Sequence, residues 1–169
     1  PGHDTRNFIA NRIGTFALLN TFLAMQQMGL TIEEVDALTG ASIGWPKTGT
    51  FRLADMVGID VLNSVARNFS AHVSDERSDV NLPAALERMV DRKWLGDKAG
   101  QGFYKKERDA DGKELRLALD LDTLEYKPAK RPKLAELEMA KGNDSVAERI
   151  RILLAGNPER DKAARFYWK

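Results

Sequence analysis

Side chains that can move protons, attack carbon or hold a metal are sparse in this sequence. It has two histidines, His3 and His72, far apart in the chain, and no cysteine. A disulfide framework and a thiolate zinc centre are therefore excluded, and no structural metal is expected, because two distant imidazoles do not make a ligand set. No Ser/His/Asp grouping and no pair of catalytic carboxylates stands apart from the ordinary polar residues. The glycines come next. Gly96-Asp-Lys-Ala-Gly-Gln-Gly102 has the look of a nucleotide loop, but a dinucleotide turn needs a strand before it and a helix after it, so that helix amides meet the pyrophosphate. Here Phe103, Tyr104 and then charged residues follow. The string is expected not to bind a dinucleotide, and there is no P-loop. Lys98 within it has the charge to meet a phosphate, although a solvated lysine is the commoner state. Trp45, Phe51, Phe103 and Tyr104 either line an apolar cleft or pack in a core.

The elements that must carry these residues are mainly helical. Phe8 to Met28 predicts a long helix, capped by Asn7 and ended by Gly29. It carries two apolar stripes, one of Ile9, Ile13 and Phe16, the other of Leu18, Phe22 and Met25, so it is expected to be central, to touch neighbours on two sides and to offer an oligomer seam. Thr31-Ile-Glu-Glu34 has capping-box spacing and predicts a short helix ending near Gly40. A loop over Gly44–Gly49 leads to a helix from Thr50 to Val57, broken at Gly58 and resumed from Asp60 to about Phe69. Pro83 predicts the start of a helix reaching about Lys93. The turn Asp109-Ala-Asp-Gly112, between Phe103–Glu107 and Leu115–Leu119, predicts a small hairpin. Lys127–Pro132 has the composition of a linker, and shorter helices are expected near Lys133–Lys141, Ser145–Ala155 and Pro158–Trp168. No internal repeat is visible.

With 43% hydrophobic and 30% charged side chains, the 169 residues suffice for one ordinary core and do not suit disorder. The longest apolar stretch, Phe16 to Met25, is well short of the ~20 residues that span a bilayer, so no membrane span and a soluble, cytoplasmic protein are expected. The chain opens at Pro1 without a methionine or a signal-peptide pattern, as an excised piece of a longer protein would. Formal net charge is +1, as −2 over residues 1–102 and +3 over 103–169, with signs interleaved in the tail. Nucleic acid usually requires a clustered basic stripe, and none is expected to bind here.

Three strings carry more than composition does. Asn7-Phe-Ile-Ala-Asn-Arg-Ile13, then Trp45-Pro-Lys-Thr-Gly-Thr-Phe-Arg-Leu-Ala-Asp-Met-Val-Gly-Ile-Asp60, then Trp94-Leu-Gly-Asp-Lys-Ala-Gly-Gln-Gly-Phe-Tyr104 resemble, in order and spacing, the C-terminal domain of 3-hydroxyacyl-CoA dehydrogenases. The tail, with Leu119–Tyr126, Ala140-Lys-Gly142 and Arg165–Trp168, resembles the long members in which the dehydrogenase precedes an enoyl-CoA hydratase unit and a second helical repeat follows. The implied fold is mainly α, like the C-terminal helical domain of 6-phosphogluconate dehydrogenase, with a small β-hairpin and a helical tail. Residues 1–106 would form the helical domain, and 107–169 the hairpin, linker and helical segments leading toward the second repeat.

The function implied by the resemblance is the NAD-dependent oxidation of a (3S)-3-hydroxyacyl-CoA in fatty-acid β-oxidation. On that basis this chain is the substrate-side and association domain and is inactive alone. NAD would be bound by a dinucleotide-binding domain absent here, which also holds the family's histidine base, its orienting glutamate and a substrate-contacting serine; no cofactor is expected in this chain. Asn11 falls on the asparagine of the family's Gly-Phe-Ile-x-Asn-Arg motif, which donates to the substrate oxygen. Without the motif, Asn11 would be assigned to local backbone bonding in an early helical turn. Gly14, one turn on, costs ~1 kcal/mol of helix stability against Ala and implies close approach of a chain or ligand. The family loop usually reads Gly-Pro-Phe-Glu where this chain has Gly49-Thr-Phe-Arg52. Expected partners are 3-hydroxyacyl-CoA, the missing domain, and a second copy or second repeat. The alternative is a non-catalytic helical dimerisation scaffold.

Overall fold

Good helix formers at apolar spacing fill the chain as far as residue 91. The computed structural model describes residues 9–72 and 84–169 and folds this part into α1 (Ile9–Met28), α2 (Ile32–Leu38), α3 (Gly49–Val57), α4 (Ile59–His72) and α5 (Ala84–Asp91). Short 3-10 turns occupy Ala41–Ile43 and Asp97–Ala99. The expected capping box is present: the Glu34 amide donates to Thr31 Oγ1 at 3.3 Å, and the Thr31 amide to Glu34 Oε2 at 3.0 Å. Gly58, at φ 105°, separates α3 from α4 where the sequence places the break. Asn7 and Pro83, the expected cap and first-turn residues, lie outside the described residues, as does His3.

The expected hairpin is present as β1 (Tyr104–Arg108) and β2 (Glu114–Asp120), and a further strand, β3 (Glu125–Pro128), extends it into a three-stranded antiparallel meander in the order β1-β2-β3. The second turn was overlooked because its signal is a single carboxylate. Asp120 Oδ1 accepts from the amides of Asp122 and Thr123, each at 3.1 Å, and Leu124 takes a left-handed φ of 56°. Part of the supposed linker is thus β3. Lys127 Nζ, 2.6 Å from Asp120 Oδ2, helps hold that carboxyl down at about 2.

The core joins these layers through three phenyl rings. Phe22 of α1 meets Phe51 of α3 edge-on at 5.0 Å, and Phe103, just before β1, lies 4.8 Å from Phe51 and 6.0 Å from Phe22. All three are almost fully buried. Such contacts contribute about 0.5–1.5 kcal/mol per pair beyond the area they bury. Around them close Ile32, Val35 and Leu38 of α2, Ile59 of α4, Met89 of α5 and Leu119 of β2.

Apolar packing does not by itself orient the strands on the helices. That is done by Asp55, a carboxylate on α3 only 2% exposed. Its Oδ1 accepts from the Phe103 amide at 2.7 Å and its Oδ2 from the Tyr104 amide at 2.9 Å. Asp36 of α2 completes the circuit, accepting from the amides of Phe51 (2.6 Å) and Arg52 (3.1 Å) in the first turn of α3 and from the Tyr104 hydroxyl at 2.7 Å. Helices α2 and α3 and strand β1 are therefore tied by two carboxylates and one tyrosine. The glycines nearby exist to admit Asp55. A Cβ on Gly102 would sit 2.1 Å from its Oδ1, and one on Gly96, at φ 89°, would sit 2.2 Å from its backbone oxygen. Tyr126 of β3 closes the far side by donating its hydroxyl to the Gly102 carbonyl at 2.5 Å.

Beyond the sheet, α7 (Val146–Ala155), capped by Ser145, runs as the sequence suggests, whereas α6 (Ala135–Ala140) and α8 (Lys162–Tyr167) are shorter. They pack back on α2 and the turn after it. Tyr167 donates to the Leu38 carbonyl at 2.6 Å, burial pushing its hydroxyl up to about 12, and Lys162 pairs with Glu34 at 2.8 Å.

Removing the Asp55 carboxylate strands two amides in the interior. Asp55→Ala is expected to cost about 3 kcal/mol in urea unfolding, since each unmet buried N–H costs roughly 1–3 kcal/mol; a loss under about 1 kcal/mol would contradict the clamp. Burial outweighs the donated hydrogen bonds and raises both Asp36 and Asp55 to about 6 from 3.8. Between those values the folded chain holds more protons than the unfolded one. The resulting stabilisation is full below the unfolded value and is lost as pH rises through the folded one. The melting temperature is therefore expected to fall from pH 5 to pH 7, and a rise over that interval would contradict the assignment.

Candidate functional site

Asn11 sits in the first turn of α1 with its side chain exposed and no hydrogen bond to another described residue. No local backbone bond from Asn11 is present among the described residues, and Asn7 and Phe8, one turn back, lie outside them. Of the residues from Asn11 to Phe16, only Thr15 is buried, so the first half of α1 stands out from the body, whereas Leu19, Phe22, Ala24 and Met25 in its second half enter the core. Helical spacing puts Asn11 and Gly14 on one side, and Ile13 and Phe16 on another. Nothing lies within 4 Å of where a Gly14 Cβ would be. The close approach expected at Gly14 is therefore not made by this chain's described residues. Ile13 and Phe16 are 65% and 44% exposed, so the expected second set of neighbours is not supplied here either. Each bare side is one that a ligand or another chain can meet.

The second and third strings form a different structure around the elbow between α3 and α4. Arg52, standing where the resemblance leads one to expect glutamate, makes a two-pronged pair with Asp97, Nη1 to Oδ1 at 2.6 Å and Nη2 to Oδ2 at 2.9 Å. The Asp97 carboxyl is held below its usual range chiefly by that bond. The next residue, Lys98, reaches the other helix, with Nζ 2.5 and 2.7 Å from the two Asp60 oxygens, which lowers Asp60 in turn. Adjacent residues of one 3-10 turn thus hold both arms of the elbow. Lys98 is neither a free solvated lysine nor poised for a phosphate. Both pairs are partly exposed, and such pairs contribute about 0–1 kcal/mol each, so they set geometry more than stability.

Of the aromatic candidates, Phe51 and Phe103 are core residues, and Tyr104 belongs to the Asp36–Asp55 circuit under the Arg116 guanidinium, 4.3 Å from its ring centre. Trp45 is 47% exposed and takes the place of neither. Sequence reasoning missed Asp36 and Asp55. The signal for Asp55 was available as a carboxylate between two apolar positions of a helix whose partner string is rich in glycine. Asp36 looked like one more acid in an acidic helix.

Gly96–Gly102 does not fit a dinucleotide. The space that Gly96 and Gly102 leave is filled by Asp55, and the amides that follow, at Phe103 and Tyr104, are already taken. Among the described residues there is no group of three or more His, Asp or Glu that could hold a metal, and no helix is long and apolar enough to cross a membrane.

Comparison with known proteins bears on the same segments. Residues 8–106 match the family described as 3-hydroxyacyl-CoA dehydrogenase, C-terminal domain. A protein of Bacillus subtilis strain 168 named a probable 3-hydroxyacyl-CoA dehydrogenase is 42% identical over 166 residues, which are 98% of this chain and 20% of that protein. A relative of the same name in Deinococcus radiodurans is 40% identical over 107 residues, 63% of this chain and 31% of its own length. A Rickettsia felis protein carrying the name fatty acid oxidation complex trifunctional enzyme is 30% identical over 128 residues, 73% of this chain and 18% of that protein. No solved structure matches. This chain spans a fifth to a third of the first two relatives, and the Bacillus match runs through the helical tail as well. With the family's domain covering α1 through β1, the chain belongs to the 3-hydroxyacyl-CoA dehydrogenases, as their C-terminal helical domain.

Proposed function

We propose that this chain is the substrate-side domain of an NAD-dependent (3S)-3-hydroxyacyl-CoA dehydrogenase of fatty-acid β-oxidation, and that Asn11 lends its side-chain amide to the reacting oxygen. The observation that supports this reading is the exposed start of α1, with Asn11 bonded to no other described residue and one turn from an open Gly14. When a hydroxyl carbon gives up hydride, its oxygen gains negative character as its proton leaves. An amide N–H fixed on a rigid helix and closed off from water stabilises that charge without having to reorganise. A glycine beside it lets a thioester or a second backbone approach more closely than any side chain would.

NAD does not fit this chain's own glycine string, so binding of the nicotinamide and the base that takes the proton are assigned to another part of the parent protein. The domain is then incomplete by itself. The apolar side of the same helix end, Ile13 and Phe16, supports the association role, through pairing with a second copy or a second helical repeat. That side also favours the scaffold reading, in which the domain only associates.

The two readings separate in the full-length parent. Asn11→Ala is expected to lower kcat about 100-fold, the scale of losing one oxyanion donor, with the melting temperature unchanged; an unchanged kcat would leave only the scaffold. The purified 169-residue chain is expected to sediment as a dimer at micromolar concentration and to leave 3-hydroxybutyryl-CoA and NAD unreacted. A strict monomer contradicts the pairing face, and turnover contradicts the incompleteness.

A further inference from the structure

Where the tail folds back on the helical domain, it encloses a cleft of about 430 Å³ between α2 with its following turn on one side and α6 on the other. Four cations line it, Lys47, Arg131, Lys141 and Arg149, against two carboxylates, Asp36 and Glu138. The carboxylates are committed. Asp36 is occupied by the Tyr104 hydroxyl and two amides, and Glu138 pairs with Lys141. Lys141 first, and Arg131 behind it, hold the Glu138 carboxyl below its ordinary value.

The remaining cations are not matched in this way. Arg149 of α7 is half-buried and spends its guanidinium on neutral acceptors, the carbonyls of Asn143 (2.8 Å), Asp144 (2.9 Å), Ser42 (3.2 Å) and Ala41 (3.2 Å). Four of its five N–H groups are thereby satisfied, but its charge meets no carboxylate among the described residues. Lys47 makes no ion pair among the described residues, and Arg131 acts on Glu138 only through space, with no direct bond to it. A partly desolvated positive charge in a concave site, flanked by Lys47 and by Arg131, whose field reaches Glu138 only at longer range, raises the local potential for anions. The floor between them is apolar, made by Ala37, Pro132 and Leu137.

We propose that this cleft binds a phosphate-bearing small molecule, its phosphates against Lys47, Arg131 and the open edge of Arg149, and its less polar part on Ala37, Pro132 and Leu137. The Arg131 guanidinium fork can match phosphate oxygens in a pair, the one N–H that Arg149 has left can add a single bond, and the lysine adds a movable charge. The site is independent of Asn11, which lies at the start of α1, and it exists only where the tail meets the domain. Phosphate chemistry of this kind has two sources, the diphosphate tail of a coenzyme A thioester and a free nucleotide.

Calorimetric titration of the 169-residue chain with pyrophosphate, ADP and coenzyme A tests the proposal. Saturable binding of pyrophosphate and ADP is expected, and the double change Lys47→Glu, Arg131→Glu should weaken it more than about tenfold, since it replaces two attractive charges with two repulsive ones. Both side chains are exposed and unpaired, so the melting temperature should stay put. Coenzyme A binding more tightly than ADP assigns the site to the thioester carrier, and the reverse order assigns it to a free nucleotide. Absence of saturable binding overturns the proposal. So does an equal loss when the same charge change is placed on the hairpin tip, as Arg108→Glu, Lys113→Glu, because that outcome reports only net charge.

Discussion

Two amides and one carboxylate decide how the strands sit on the helices. Asp55 is buried where an ion is costly, and main-chain donors from Phe103 and Tyr104 to its two oxygens offset that cost in part, its carboxyl still being raised to about 6. Other features follow from this contact. Gly96 and Gly102 are bare so that Asp55 fits, Phe103 is directed inward onto Phe51 and Phe22, and Tyr104 is aimed at Asp36, which in turn caps the start of α3. The arrangement anchors the second half of α1 through Phe22 and so holds the projecting first half at a fixed angle.

The family strings therefore separate into two kinds. Those around the elbow and before β1 are mutually dependent parts of one scaffold, down to the neighbouring Asp97 and Lys98, which grip Arg52 and Asp60. Asn11 and Gly14 take no part in that scaffold. Nothing in the described fold occupies them, which is what a site completed by other matter requires.

Much of the fold was legible because local rules suffice for it: Thr31 and Glu34 cap α2, Gly58 breaks α3 from α4, and the apolar spacing in α1 places Phe22 and Met25 inward. What stayed hidden depends on partners distant in sequence. Asp55 and the Phe103 amide are 48 residues apart, and no periodicity shows that a carboxylate will be buried there. The third strand was missed because the Asp120 turn that starts it looks like ordinary acidic surface. Similarly, the expectation that α1 touches neighbours on two sides came from its stripes, and the stripes do not say whether the second neighbour is within the chain. The proposal for Asn11 rests on a motif, since an asparagine in a helix carries no signature of chemistry on its own.

Hydrogen exchange at two amides tests the organising contact most directly. If Asp55 is the tie that sets the sheet on the helices, the Phe103 and Tyr104 N–H groups exchange only by global unfolding, with protection near that of the core of α3. Exchange of these two amides at the rate of the open hairpin tip around Asp111, in a chain otherwise protected, would show that the carboxylate does not hold them and that the account of the scaffold is wrong.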